Sequence, residues 1–219
     1  MIRVMLVDDE ELVRTGLSTI LGGAPGITVV ASCGGTEAVE AAQECRPDVV
    51  LLDVRMPGAD GLTVLRALRA LPAPPHTALL TSFDVDEFVT EGIRLGASGF
   101  LLKSSSPDEL VKAVRALRTG AGCLTPPMAR RLVGPYDRQR TGAPAPGADL
   151  SMLTPRERSV LALVAEGRSN HEIGTELFLA AATVKEHLSS VFGKLKVGNR
   201  VQAAVVAVRS GLPGDGEGP

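Results

Sequence analysis

From Ile2 to Leu117 short apolar runs of strand length alternate with segments of helical period, and no other property of the chain limits its fold so sharply. The helical segments run over Glu10 to Leu21, Thr36 to Cys45, Leu62 to Leu71 and Asp84 to Leu95. A fifth is opened by Ser106-Pro107-Asp108-Glu109 and ends near Thr119-Gly120. Its start reads as a capping box, with Ser106 as cap, Pro107 in the first turn and Glu109 reaching back. Five strand-helix units in succession predict an α/β domain built on a doubly wound, five-stranded parallel sheet. In such sheets ligands gather outside the carboxyl ends of the strands. Four of the runs, IRVMLV, DVVLL, HTALL and GFLL, are followed at once by Asp8 and Asp9, by Asp53, by Thr81 and by Lys103. The pattern therefore specifies an acidic pocket with one lysine at a single sheet edge.

Carboxylates that converge on one edge repel one another, so they either take up protons or hold a cation. An all-oxygen site with few protein ligands suits Mg²⁺, which keeps several waters and bridges carboxylates to phosphoryl oxygens. Taken singly, Asp8 or Asp9 reads more readily as a helix cap, Asp53 as a cap or loop terminus and Lys103 as a solvated lysine. Their joint position at strand ends, with the turn signal Met56-Pro57-Gly58 directly after Asp53, favours one shared site over four separate roles. A phosphate-binding enzyme on the same kind of sheet needs a Gly- or Ser/Thr-rich turn after its first strand, and this chain has DDEE there. A phosphatase with an aspartyl nucleophile places it in a D-x-D arrangement, whereas these acids are adjacent.

The segments VDDEELVRTGL, VVLLDVRMPGADGL, LLTSF and GFLLKSSSPDEL resemble the signature segments of a response-regulator receiver domain. The resemblance covers residues 1–118 and sets a domain over 1–119 with a flavodoxin-like fold. It implies that Asp53 accepts a phosphoryl group from a histidine of a sensor histidine kinase. It further implies that Asp8, Asp9, Asp53 and the main-chain carbonyl of Arg55 bind Mg²⁺, that Thr81 and Lys103 contact the phosphoryl group, and that Phe100 is the aromatic switch. The expected motion draws the Thr81 loop inward and vacates space for Phe100. Arg55 and Phe83 occupy places that tune dephosphorylation in the family. Such a domain assists its own phosphorylation and dephosphorylation and is not a free-standing turnover enzyme.

Beyond the first domain, GPYDRQRTGAPAPGAD has no apolar period, so residues 120–150 read as a linker, with a short helix expected over 127–133. Residues 213–219 read as a disordered tail. The domain over 151–212 is predicted to be all-α and smaller. Capping boxes at Thr154-Pro155-Arg156-Glu157 and Ser169-Asn170-His171-Glu172 open two short helices. A third spans Ala181 to Leu195, with Val184, Leu188, Val191 and Leu195 inward, and a fourth spans about Asn199 to Ser210, with Val201, Ala204, Val205 and Val208 inward. The two parts differ in charge: residues 1–118 hold 11 Lys+Arg against 16 Asp+Glu, a net of −5, and residues 151–212 hold 8 against 5, a net of +3. A mildly basic module suits a polyanion.

Leu153 to about Ala207 resembles the LuxR-type helix-turn-helix, and its combination with a receiver is the arrangement of NarL/FixJ-family response regulators. The resemblance implies a regulator of transcription that binds promoter DNA through the helix Ala181 to Leu195. Laid out by period, Thr183, Lys185, Glu186 and Ser189 are placed to meet bases or backbone, and Lys194, Lys196 and Arg200 to meet phosphates. Ala180-Ala181-Ala182 stands where the family commonly has a Ser or Thr cap, and Gly174 stands at a usual alanine. A net of +3 makes a single copy a weak DNA binder, so a homodimer is expected when the receiver is phosphorylated, with Ala203 and Val206 facing the partner on a last helix that resembles the family's dimer helix. RNA polymerase is a further partner open to such a regulator. The other readings are a phosphorylation-responsive protein adaptor and a DNA-binding regulator that dispenses with phosphorylation. No apolar run approaches the ~20 residues that cross a bilayer, so a cytoplasmic protein without membrane partners is expected. Cys33, Cys45 and Cys123 lack C-x-x-C spacing and are read as reduced thiols.

Overall fold

Strands covered by helices on both faces have no solvent side, which is why residues 4–7 of β1 (Ile2–Val7) and 49–52 of β3 (Val49–Asp53) read as unbroken apolar runs rather than as alternation. Val4 to Val7 and Val49 to Leu52 are wholly buried. The computed structural model describes residues 1–81, 86–123 and 150–212. The helix expected over 127–133, most of the linker, Phe83 and the tail lie outside the described residues. The chain divides into two units, Met1–Cys123 and Leu124–Pro219.

In the first unit β2 (Ile27–Cys33), β4 (His76–Thr81) and β5 (Gly99–Leu102) complete a five-stranded parallel sheet of order β2-β1-β3-β4-β5. The order reverses between β1 and β3, so the carboxyl ends of these two strands flank the crevice that doubly wound sheets use for ligands. The helices are α1 (Glu11–Gly22), α2 (Ala38–Cys45), α3 (Gly61–Arg69), α4 (Asp86–Arg94) and α5 (Pro107–Arg118). Leu17 and Leu21 of α1 and Leu110, Val114 and Leu117 of α5 pack with Val4, Leu6, Leu51 and Leu80 into one core. The capping box at Ser106 and Glu109 forms as expected.

Two local features differ from the sequence reading. The second helix begins later, because Gly35–Glu37 forms a 3₁₀ turn. That turn approaches the β3–α3 connection so closely that a Cβ on Gly35 would lie 2.6 Å from the Ala59 Cβ. The connection itself, read only as Met56-Pro57-Gly58, closes into a small antiparallel ribbon, Arg55–Met56 against Ala59–Asp60, with Gly58 at φ 89°. Asp60 then caps α3 by accepting the N–H groups of Leu62 and Thr63.

The second unit contains α6 (Pro155–Ala165), α7 (Asn170–Leu177), α8 (Ala181–Leu195) and α9 (Arg200–Arg209). Both capping boxes form, at Thr154 with Glu157 and at Ser169 with Glu172. Ala180 gives α8 no side-chain cap, whereas Asn199 caps α9 by accepting the Gln202 N–H. Val184, Leu188, Val191 and Leu195 are buried, as their spacing predicted. The turn into α8 is tight: Leu179 N–H donates to the Gly174 carbonyl at 2.7 Å, and a Cβ on Gly174 would lie 2.5 Å from the Leu179 carbonyl oxygen. The turn itself fills the space a methyl group would need.

The reading of α9 needs correction. Ala203, expected to face a partner, is fully buried. The helix lies between two apolar clusters, one taking Ala203 and Ala207 with Leu161 and Val191, the other taking Ala204 with Val160 and Leu188. Its buried face is therefore wider than a single stripe. Val206 is half-buried and packs against the first cluster.

Candidate functional site

At the β1–β3 crevice the end of each strand delivers one charged group. Asp8, the first residue after β1, is fully buried, and Asp53, the last residue of β3, is 4% exposed. Lys103 follows β5 and extends its ammonium between them, 2.8 Å from Asp8 Oδ2 and 3.1 Å from Asp53 Oδ2. Glu10, which the sequence reading left without a role, lies 3.6 Å from the same ammonium from an exposed position. Thr81, buried at the end of β4, accepts the Lys103 N–H on its main-chain carbonyl at 3.0 Å, so the threonine and the lysine hold each other in register. Gly61 starts α3 directly against the phosphoacceptor candidate, since a Cβ there would lie 2.3 Å from the Asp53 carbonyl oxygen.

The electrostatics follow from this crowding. Burial raises the Asp53 carboxyl above its ordinary value, with the Asp8 charge adding to the effect and the Lys103 hydrogen bond opposing it. Burial alone would lower the Lys103 ammonium, but its hydrogen bonds to Asp8 and Asp53 and their charges outweigh that and raise it. The site thus has its own internal cation.

Asp9 does not join this group; its Oδ1 accepts the Gly35 N–H at 3.0 Å and ties the β1–α1 loop to the 3₁₀ turn. Among the described residues no set of three or more His, Cys, Asp and Glu side chains is arranged to hold a metal ion. The expectation of three converging carboxylates is corrected to two. Among the described residues the buried Asp8 Oδ2 is nevertheless met by the Lys103 ammonium alone, at 2.8 Å. Two carboxylates with one such oxygen, beside the Arg55 main chain, form an all-oxygen donor set that fits a hard divalent cation. Arg55 donates its N–H to the Asp53 carboxylate, and its guanidinium lies 5.5 Å from the centre of the Phe88 ring on α4. Phe100 is 1% exposed, and a Cβ on Gly92 of α4 would come within 3.1 Å of its ring.

On α8, Lys185, Glu186 and Ser189 are exposed and Thr183 is half-buried. Ser189 donates its hydroxyl to the Lys185 carbonyl of its own helix. Lys196 is exposed at the end of α8 in a left-handed conformation, φ 54°. Two expected phosphate contacts point inward instead. The Lys194 ammonium is 2.6 Å from Glu157 Oε2, and Arg200 is 6% exposed, donating to Asn170 Oδ1 and to the Arg168 carbonyl. Burial lowers the Arg200 guanidinium to about 10, still charged at neutral pH. Both corrections have one cause: period places a residue on a helix face but does not say which acid or carbonyl lies across from it.

Sequence reasoning gave Glu157 only a capping role. It is also the hub of the module, 4% exposed, accepting from Lys194 and from Ser190 Oγ at 2.6 Å each and from the Thr154 N–H at 2.8 Å. Burial works against its charge, yet these bonds hold the carboxyl down at about 2. Phe178 was also missed; it is 95% exposed in the α7–α8 turn with φ 56°.

Comparison with known proteins accounts for both units. Residues 4–115 match the response regulator receiver domain, and residues 151–207 match the bacterial regulatory proteins of the luxR family. The chain belongs to the response regulators with a LuxR-type DNA-binding domain. The response regulator is 39% identical over 213 residues to the transcriptional regulatory protein LiaR of Bacillus subtilis, covering 97% of this chain and 99% of that one. It is 39% identical over 220 residues to the DNA-binding transcriptional activator DevR/DosR of Mycobacterium tuberculosis, covering 99% and 100%. Among solved structures, the response regulator ChrA of a heme-sensing two-component system is 37% identical with a TM-score of 0.52, covering 95% of this chain and 97% of that one. This response regulator is accordingly a transcriptional regulator made of a receiver and a DNA-binding module. Among the described residues no helix is long and apolar enough to cross a membrane.

Proposed function

We propose that this response regulator takes a phosphoryl group on Asp53 from the phosphohistidine of a sensor histidine kinase and thereby changes its binding to promoter DNA. The observation that supports the reading most is the single ammonium of Lys103 between Asp8 and Asp53, beside Thr81 and at the crevice where the sheet order reverses. In the transfer the Asp53 carboxylate oxygen forms a bond to phosphorus, the phosphorus–nitrogen bond breaks, and the departing imidazole keeps the electron pair. Lys103 leaves its carboxylate partners to pair with a phosphoryl oxygen, and the Thr81 hydroxyl donates to another. Asp8, Asp53 and the Arg55 carbonyl would hold Mg²⁺, with Asp9 nearby on the same loop. The ion supplies positive charge against the incoming phosphoryl group. Thr81 and Lys103 then carry the change to β5, where Phe100 sits.

On the output side, Lys185, Glu186, Ser189 and Thr183 read the major groove, and Lys196 meets the backbone. Two copies on two half-sites would supply the affinity that one weakly basic module lacks. The test compares wild type with Asp53→Asn, each incubated with Mg²⁺ and a small-molecule phosphodonor, by intact mass and by DNA gel shift. Wild type gains one phosphoryl mass and binds DNA more tightly; the variant does neither. A variant that still gains the mass, or a wild type that gains it with unchanged binding, would overturn the assignment.

A further inference from the structure

The outer edge of β5 is closed by the chain itself. After α5 the backbone turns through Gly120 and Gly122, at φ 73° and 68°, and lays Cys123 parallel to Gly99. Two hydrogen bonds make the bridge: the Cys123 N–H donates to the Ser98 carbonyl at 3.1 Å, and the Phe100 N–H donates to the Cys123 carbonyl at 2.8 Å. The approach requires a glycine, because a Cβ on Gly99 would lie 2.9 Å from both the Cβ and the carbonyl oxygen of Cys123. The Cys123 side chain packs against the receiver core. The switch candidate Phe100 is thus held twice, by its ring beneath Gly92 of α4 and by its amide on Cys123. Cys123 is also the residue with which the receiver unit ends.

The geometry points to a latch: the Gly99–Cys123 bridge couples the position of Phe100 to the root of the segment that leads to the DNA-binding module, and it opens when Asp53 is phosphorylated. The inference rests on the phosphoacceptor reading above. This isolated bridge is the shortest pairing of the sheet among the described residues, so a displacement of β5 driven from Lys103 and Thr81 breaks it before any strand ladder. A closed latch fixes the start of the interdomain segment against the sheet edge. An open one releases it while the receiver core stays intact.

Cys123 reports on the latch directly, because burial pushes its thiol up to about 11 and keeps it slow to react while the bridge is closed. The experiment alkylates the full chain with iodoacetamide, with and without Mg²⁺ and a small phosphodonor, and measures each cysteine by peptide mass, with Cys45 as the internal reference. Phosphorylated protein should label at Cys123 about tenfold faster, the change that a 1.4 kcal/mol weakening of the bridge gives, with Cys45 unchanged. Gly99→Ala should reach the same rate without phosphodonor. Should that variant fail to fold, Cys123→Pro removes the donor to Ser98 and is read by hydrogen exchange of the Phe100 amide, which should speed up. Equal Cys123 labelling in samples whose mass shows the phosphoryl group overturns the latch and leaves the role of Asp53 standing. A sample that gains no phosphoryl mass overturns the role of Asp53, and the coupling with it.

Discussion

Replacing Glu157 by Gln keeps the shape of the side chain and removes its charge from the hub of the DNA-binding module. The carboxylate accepts from Lys194 and Ser190 at 2.6 Å each and from the Thr154 N–H at 2.8 Å. The amide leaves the Lys194 ammonium without its counter-charge and turns one acceptor into a donor facing Ser190 or Thr154. Hydrogen bonds to charged groups contribute ~1.5–3 kcal/mol each. Lys194 is 31% exposed and can turn toward water, so the lower part of that range applies to it. Linkage gives a second figure: a carboxyl held at about 2 instead of 4.5 corresponds to ~3 kcal/mol at neutral pH. Since Gln keeps part of the bonding, the expected loss is set at ~2–3 kcal/mol, or a fall of ~10–20 °C in the melting of a domain this small. Because the folded state depresses this acid, its contribution is complete above the unfolded value and is lost as pH falls from about 4.5 toward 2. Calorimetry of the full chain should show the C-terminal transition of Glu157→Gln well below wild type at pH 7, with the gap narrowing below pH 4.5. A gap of only ~2–3 °C at pH 7, less than 1 kcal/mol, or one that does not change with acid, would refute the view of Glu157 as a charged hub.

The same reasoning predicts that Asp53→Asn stabilises the receiver at neutral pH: burial raises this carboxyl, so carrying its charge costs stability once pH rises through the folded value. A receiver transition that drops in the variant would count against it. Ala180→Ser should restore the absent cap on α8 and raise the C-terminal transition by ~1 kcal/mol, read as a melting shift of ~4–8 °C; no shift would mean that the first-turn N–H groups are already well served by water.

Most of the receiver was legible because its signals are redundant. Apolar runs fix the strands, helical period fills the gaps, and a parallel sheet brings strand ends together whatever the loops do. That logic put Asp8, Asp53, Thr81 and Lys103 at one edge. It failed for Asp9, whose partner, the Gly35 N–H, lies 26 residues away on another loop and leaves no trace in local pattern. Helix capping in the second unit was equally plain, since Ser169 and Glu172 carry the whole signal within four residues. Lys194, Arg200 and Ala203 were misread because helix period gives the direction of a side chain and not the identity of what it meets. Arg200 is the clearest case: a cation beside the reader helix reads as a DNA contact until the Arg168 carbonyl and Asn170 are seen to enclose it.

The inward turn of Lys194 and Arg200 changes what the module offers to a polyanion. Its sequence gives eight basic residues against five acids between 151 and 212, but with Lys194 cancelled by Glu157 and Arg200 enclosed, six face four and the outward balance falls from +3 to +2. Each phosphate left unneutralised keeps its condensed counterion, worth about 0.9 in the slope of log affinity against log salt. The protein has spent two of its cations on holding the helices of the module to one another, Lys194 tying α8 to α6 and Arg200 tying α9 to the start of α7, and its grip on DNA should resist rising ionic strength better than its basic residue count implies.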